Sequence, residues 1–136
     1  MTIAPIAESA ATGIVTVAST HTGTETLERL QTRIRELGLT LFSCIDFSGD
    51  AGRAGLAMQF SQLVIFGNPK AGTPLMQRVP TSALDLPLKV LVWDDANGRT
   101  WLSFNSTDYL GQRHGLPADL MKPVSGVATL VEAVAR

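Results

Sequence analysis

The stretch of this chain best suited to chemistry is Phe66-Gly67-Asn68-Pro69-Lys70-Ala71-Gly72-Thr73-Pro74-Leu75-Met76. Leu63-Val64-Ile65-Phe66 is apolar, rich in β-branched residues and too short for a helix, so it reads as a buried strand. The glycines and Pro69 then predict a tight loop. Thr73-Pro74 reads as a helix start, with threonine as cap and proline at the first helical position, where its missing N–H costs nothing. A strand, a loop carrying Lys70 and a helix N-terminus would aim unpaired N–H groups and the positive end of the helix dipole at an anion. Asn68, Lys70 and Thr73 are the candidate ligand-binding residues here, and Gly72 is expected to need an unusual backbone angle or a close approach.

Gly67-x-x-x-x-Gly72-Thr73 has the outline of a nucleotide-binding P-loop, but the lysine between the second glycine and the threonine is missing. The parallel βαβ setting is missing too. A simple anion, a carboxylate or a phosphorylated metabolite suits this segment better than a nucleoside triphosphate; a rigid loop that only shapes the fold is the plain alternative. Asp46 and Lys89 fall within strand patterns, where an unpaired charge is costly to bury. They are expected to pair with each other, to line a polar pocket or to reach solvent at an edge. His114, between Arg113 and Gly115, reads as a surface histidine favoured by a helix C-terminus. Asn105, at a strand end, is a further candidate for the same pocket.

Other chemistry finds little footing. Two histidines and one cysteine without ligand spacing argue against a metal site. Cys44, on an expected core strand, reads as an inert buried thiol. No serine sits in a nucleophile elbow, and no cofactor motif appears. Trp93, Trp101 and Tyr109 read as core or interface, since a net charge of -1 gives no electrostatic footprint for nucleic acid or an acidic membrane. A lone cysteine suggests a reducing compartment, and no apolar run nears the roughly 18 residues that span a bilayer. Met1-Thr2-Ile3-Ala4-Pro5-Ile6 lacks basic residues and a continuous apolar run, which makes it a poor signal peptide; a bacterial-type soluble, cytoplasmic protein is the expectation.

The elements that must position these residues emerge from periodicity. With 136 residues, 45% hydrophobic and 17% charged, one well-packed domain is expected over 13–136, after a disordered tail over 1–12. Ile14–Ser19 predicts a strand. Leu27, Leu30, Ile34 and Leu37 mark a helix over 25–37, with Thr22 and Glu25 as a capping box and Gly38 as its stop. Thr40–Phe47 predicts a strand, with Leu41, Ser43, Ile45 and Phe47 on one face. Residues 48–57 read as a loop with a helical turn. Pro80 should divide the segment after Thr73 into two short helices, 74–78 and 81–84.

Asn97-Gly98 signals a hairpin between strands 88–93 and 100–105. A two- or four-residue loop would put Lys89, Leu91, Trp93, Leu102 and Phe104 on one face, and Leu88, Val90, Val92, Trp101, Ser103 and Asn105 on the other. Both faces are apolar, so the one without helices should meet a partner subunit. A short helix over 108–116 and a final one carrying Val127, Leu130, Val131 and Val134 complete an α+β sandwich.

The segments 66–76 and Ala83-Leu84-Asp85-Leu86-Pro87-Leu88-Lys89-Val90-Leu91-Val92-Trp93 closely resemble the family called domain of unknown function 302. Trp101-Leu102-Ser103-Phe104-Asn105, Tyr109-Leu110 and Arg113-His114-Gly115-Leu116 extend the match to about residues 13–135. The resemblance implies a β-α-β(4)-α fold similar to the TATA-binding-protein-like arrangement, and homodimers, but no function. Relatives typically carry Ile-Asp-His where this chain has Ile45-Asp46-Phe47, so a site relying on that histidine would be absent or altered. The sequence thus leads to a dimeric binding module for a small polar or anionic ligand at Gly67–Thr73. Two alternatives stand beside it: an enzyme using Asp46, Lys89 or His114 as acid or base in that pocket, and a structural or regulatory homodimer without ligand.

Overall fold

The computed structural model describes residues 12–136, so the expected tail lies outside it except for residue 12. Five strands form one antiparallel sheet in the order β1-β5-β4-β3-β2, with β1 at Ile14–Ala18, β2 at Thr40–Asp46, β3 at Ser61–Gly67, β4 at Leu88–Asp94 and β5 at Thr100–Asn105. One face is covered by α1 (Gly23–Glu36) and α6 (Val127–Ala135), which gives the α+β architecture that the residue pattern predicts. The Thr22 hydroxyl accepts from Glu25 N at 3.2 Å and caps α1. Gly38, at φ +71°, ends that helix, with Leu39 N returning to Ile34 O. Leu30 and Ile34 from α1 meet Val127, Leu130, Val131 and Val134 from α6 over Val17, Val64, Phe66, Val90, Val92 and Leu102.

Four local expectations need correction. Residues 47–53 form a seven-residue helix, α2, where a loop with a helical turn is expected over 48–57: the Asp46 carboxylate caps it by accepting from Gly49 N at 2.8 Å. A bulge leaves Phe42 without a partner in β2, because Leu41 faces Phe66 and Ser43 faces Ile65. Strict alternation along β2 therefore fails, and Cys44 falls on the same side as Leu41. Since β2 is an edge strand, Cys44 is exposed rather than buried in a core.

The hairpin is the third correction. Gly98, at φ +77°, lets Asp95 N reach Arg99 O at 2.8 Å and Gly98 N reach Asp95 O at 3.0 Å, so residues 95–99 form an odd-numbered loop. Trp93 then faces Trp101, and Val92 faces Leu102. The odd count inverts the expected parity. Val90, Val92, Leu102 and Phe104 lie under the helices, while Lys89, Leu91, Trp93, Trp101, Ser103 and Asn105 share the other face.

The fourth correction concerns the segment after β3. Helix α3 starts at Pro69, not Thr73, and runs to Arg78, with Asn68 as its cap and Pro69 in its first turn. Pro74 sits inside it, and a 3₁₀ turn over Pro80–Leu84 comes next. Buried Leu75 anchors α3 in a second apolar cluster with Leu86, Leu110, Leu116, Met121 and Val124. Leu110 belongs to α4 (Thr107–His114), and Met121 to α5 (Ala118–Met121). Leu88 touches both clusters, so the two cores meet at the end of the sheet where β3 stops.

Candidate functional site

A cavity of about 560 Å³ opens where those two cores meet. The end of β3 and the start of α3 supply Phe66, Gly67, Asn68, Pro69, Ala71, Gly72 and Thr73. Leu37, Leu39 and Phe42 close it from the α1–β2 side, Leu86, Pro87 and Leu88 from the approach to β4, and Val127 and Leu130 from α6. Its size is that of a small-molecule pocket, and such pockets combine apolar walls with a few placed polar groups. The polar side chains in this wall are those of Asn68 and Thr73. Phe42, extruded by the bulge, is 48% exposed at this site.

The N-terminus of α3 looks different from the anion cradle that sequence suggests. Pro69 has no N–H to offer. Lys70 N donates to Asn68 Oδ1 at 3.0 Å, and Ala71 N and Gly72 N both donate to Asn68 O at 2.9 Å. Every donor of the first turn is therefore bonded within the helix. Lys70 is exposed and absent from the cavity wall, whereas Asn68 and Thr73 belong to it. Gly72 is a helical glycine outside the left-handed region, and a Cβ there would find only Met76 Cε, at 3.8 Å. Neither an unusual angle nor a close approach requires it.

The other sequence candidates lie elsewhere. Asp46 caps α2 and accepts from Ser48 Oγ at 2.9 Å; the Gly49 N–H, then the Ser48 hydroxyl, hold its carboxyl below the usual range. Lys89 lies across β3 from it and a few rungs away, since Lys89 faces Ile65 while Asp46 faces Gln62. The two do not pair. Lys89 Nζ donates to Pro87 O at 3.0 Å, and burial lowers its pKa against the opposing pull of the Asp85 carboxylate. Asn105 ends β5 opposite Ile14, outside the cavity wall.

His114 is not a surface residue: its side chain is 7% exposed, and its Nε2 lies 2.5 Å from Asp85 Oδ2. Arg113 Nη1 binds the same oxygen at 2.9 Å. Asp85 thus joins α4 to the 3₁₀ turn just before Leu86, Pro87 and Leu88 enter the cavity wall. Sequence reasoning misses Asp85 as a polar hub because its partners are 28 and 29 residues away. It anticipates the Gly67–Thr73 side of the wall but misses the rest, whose residues read singly as ordinary core; the one available signal is Leu86-Pro87-Leu88 abutting a polar turn. Among the described residues, no group of three or more histidine, cysteine, aspartate or glutamate side chains could hold a metal ion.

Comparison with known proteins matches residues 15–135 to the family model described as domain of unknown function DUF302. A crystal structure of an uncharacterized conserved protein DUF302 from Bacillus stearothermophilus superposes with a TM-score of 0.74 at 18% identity, covering 92% of this chain and 97% of that one. At that identity the likeness concerns the fold. The chain is also 39% identical over 135 residues to proteins named fluoride-specific ion channel FluC 1 from Brucella suis biovar 1 (strain 1330) and Brucella abortus biovar 1 (strain 9-941). The match takes in 96% of this chain but 53% and 50% of those relatives, so the chain spans about half their length. With the family model covering nearly the whole described chain and the fold shared with a solved member, the chain belongs to the DUF302 family.

Proposed function

We propose that this domain is a non-catalytic binding module that takes a small ligand in the cavity beside Gly67–Thr73. The carrying observation is the cavity itself: about 560 Å³ at the junction of two cores, walled by apolar side chains with Asn68 and Thr73 among them. The titratable candidates lie outside that wall, with Asp46 capping α2 and His114 held by Asp85, which favours binding over acid–base chemistry there. The matching half of the curated relatives would then be such a module too. No helix among the described residues is long and apolar enough to cross a membrane.

The test is binding of the uncharged dye N-phenyl-1-naphthylamine, whose fluorescence rises in apolar surroundings. Wild-type protein should bind one dye per chain. Gly72→Phe, at a position of the cavity wall where an added Cβ meets only Met76 Cε at 3.8 Å, should fill the cavity with its ring and abolish binding while the protein stays folded. Equal binding by both proteins would refute the assignment.

The open face of the sheet favours a homodimer as well. Leu63, Ile65, Leu91, Trp93 and Trp101 lie there half-buried, and the ring centroids of Trp93 and Trp101 stack at 6.3 Å. The two indole donors of that face are already paired: Trp93 Nε1 donates to Ser103 Oγ at 2.8 Å, and Trp101 Nε1 to Asp95 Oδ2 at 2.9 Å. A second copy could cover this face without leaving those donors unbonded.

A further inference from the structure

We infer that the ligand of this cavity is an apolar chain or ring system ending in an uncharged hydrogen-bond acceptor. This rests on the reading of the cavity as a ligand site and narrows it to a chemical class. Phe42, Phe66, Met76, Leu88, Val127 and Leu130 form an apolar wall to which no charged side chain of the described residues contributes. Lys70, the nearest cation in sequence, is exposed and outside the wall.

An ionised head group placed against this wall would lose its hydration without gaining a counter-charge, and that penalty is large. The backbone offers no replacement, since the N–H groups of Lys70, Ala71 and Gly72 are all bonded to Asn68. What remain are the Thr73 hydroxyl, which can donate or accept, and the side chain of Asn68, both exposed to solvent at the cavity. Asn68 Oδ1 is held by Lys70 N at 3.0 Å, which leaves the Nδ2 amide hydrogens, unpartnered among the described residues, as a donor at the cavity. A donor asks for an acceptor, so the matching head is an alcohol, ether, ester or carbonyl oxygen.

Asn68→Asp separates this role from capping. Aspartate caps as well as asparagine and suits the helix dipole, so α3 keeps its start, but the Nδ2 donor is gone. Decan-1-ol and decanoate are titrated against bound N-phenyl-1-naphthylamine at neutral pH. Wild-type protein should bind decan-1-ol at least tenfold tighter than decanoate. Asn68→Asp, its own dye affinity measured first, should bind decan-1-ol about tenfold more weakly than the wild type does, the effect of one lost hydrogen bond. Lys70→Ala should change neither. Decanoate binding as tightly as decan-1-ol would overturn the inference, as would an Asn68→Asp protein with unchanged affinity for the alcohol. If Asn68→Asp does not fold, the comparison of alcohol and carboxylate on wild-type protein decides. Failure of the wild type to bind the dye at all would instead strike the cavity assignment beneath it.

Discussion

Replacing Asp85 with alanine should destabilise this protein more than replacing its partner Arg113 with alanine, because the two contacts of Asp85 differ in burial. Arg113 is 51% exposed, and its ion pair with Asp85 at 2.9 Å belongs to the class that contributes about 0–1 kcal/mol. His114 is different. With its side chain 7% exposed and its Nε2 2.5 Å from a carboxylate oxygen, it depends on Asp85 as its acceptor. A hydrogen bond to a charged group contributes about 1.5–3 kcal/mol, and removing Asp85 leaves the largely buried imidazole without this partner. Asp85→Ala should therefore cost about 2–3 kcal/mol, a fall in Tm of roughly 6–12 °C for a domain of this size. Arg113→Ala should cost less than about 1 kcal/mol, and Asp85→Asn, which keeps an acceptor, should fall between. Urea unfolding followed by tryptophan fluorescence reads all three. If Asp85→Ala proves no worse than Arg113→Ala, the His114 contact contributes nothing net and its assignment as the anchor of α4 fails. The substitution should also weaken dye binding, because Leu86, Pro87 and Leu88 lead directly from Asp85 into the cavity wall.

Gly72→Ala should stabilise the protein by about 0.5–1 kcal/mol, since a helical glycine with only Met76 Cε nearby gains propensity without a clash; a drop in Tm would show that the position is sterically closed. Leu91→Glu on the open face should shift sedimentation from dimer to monomer at micromolar concentration without unfolding the domain, and a wild type sedimenting as monomer would refute the interface. Acid should destabilise through Asp46. The Gly49 N–H and the Ser48 hydroxyl lower its pKa in the folded state, so between the folded and unfolded values the unfolded chain binds more protons. That contribution is present above the unfolded pKa of about 3.9 and is lost as pH falls through the lower folded one. Asp46→Asn caps α2 without titrating, and its Tm should fall less steeply below about pH 4; identical slopes would mean that the cap contributes nothing.

Features that depend on neighbours within one turn or one ladder rung are legible in the sequence. The α1 cap, the Gly38 stop and the apolar stripe of α6 all emerge where the residues place them, because caps and 3.6-residue stripes are local. The start of α3 is misplaced by the sequence pattern for an equally local reason. Asn68-Pro69 and Thr73-Pro74 are both cap-and-proline pairs, and only packing distinguishes them. Starting at Pro69 places Leu75 fully buried against Leu86 and Leu110, at the cost of one backbone bond lost to Pro74 inside the helix. The Asp85 hub and the walls of the cavity beyond Gly67–Thr73 are not legible, because each is made by segments far apart in sequence.

The hairpin shows how far one local miscount travels. Asn97-Gly98 correctly marks the turn, but it does not fix whether Asp95 and Arg99 belong to the strands or the loop. The bonds Asp95 N to Arg99 O and Gly98 N to Asp95 O settle on five loop residues. An odd count rotates β5 by one position against β4, which exchanges Leu102 and Phe104 with Trp101 and Ser103. Under the even-numbered loop each face would carry one tryptophan, and neither would be distinctive. With the observed register both tryptophans stack on the side away from α1 and α6, and Arg99 lies 5.0 Å over the Trp101 ring. The helix-covered face gains Leu102 and Phe104 beside Val90 and Val92, which completes the main core. The open face still favours a partner with the parity reversed, but through different residues: Leu91, Trp93 and Trp101. Substitutions meant to break a dimer belong there rather than at Val90, Val92 or Leu102, where they would unfold the chain.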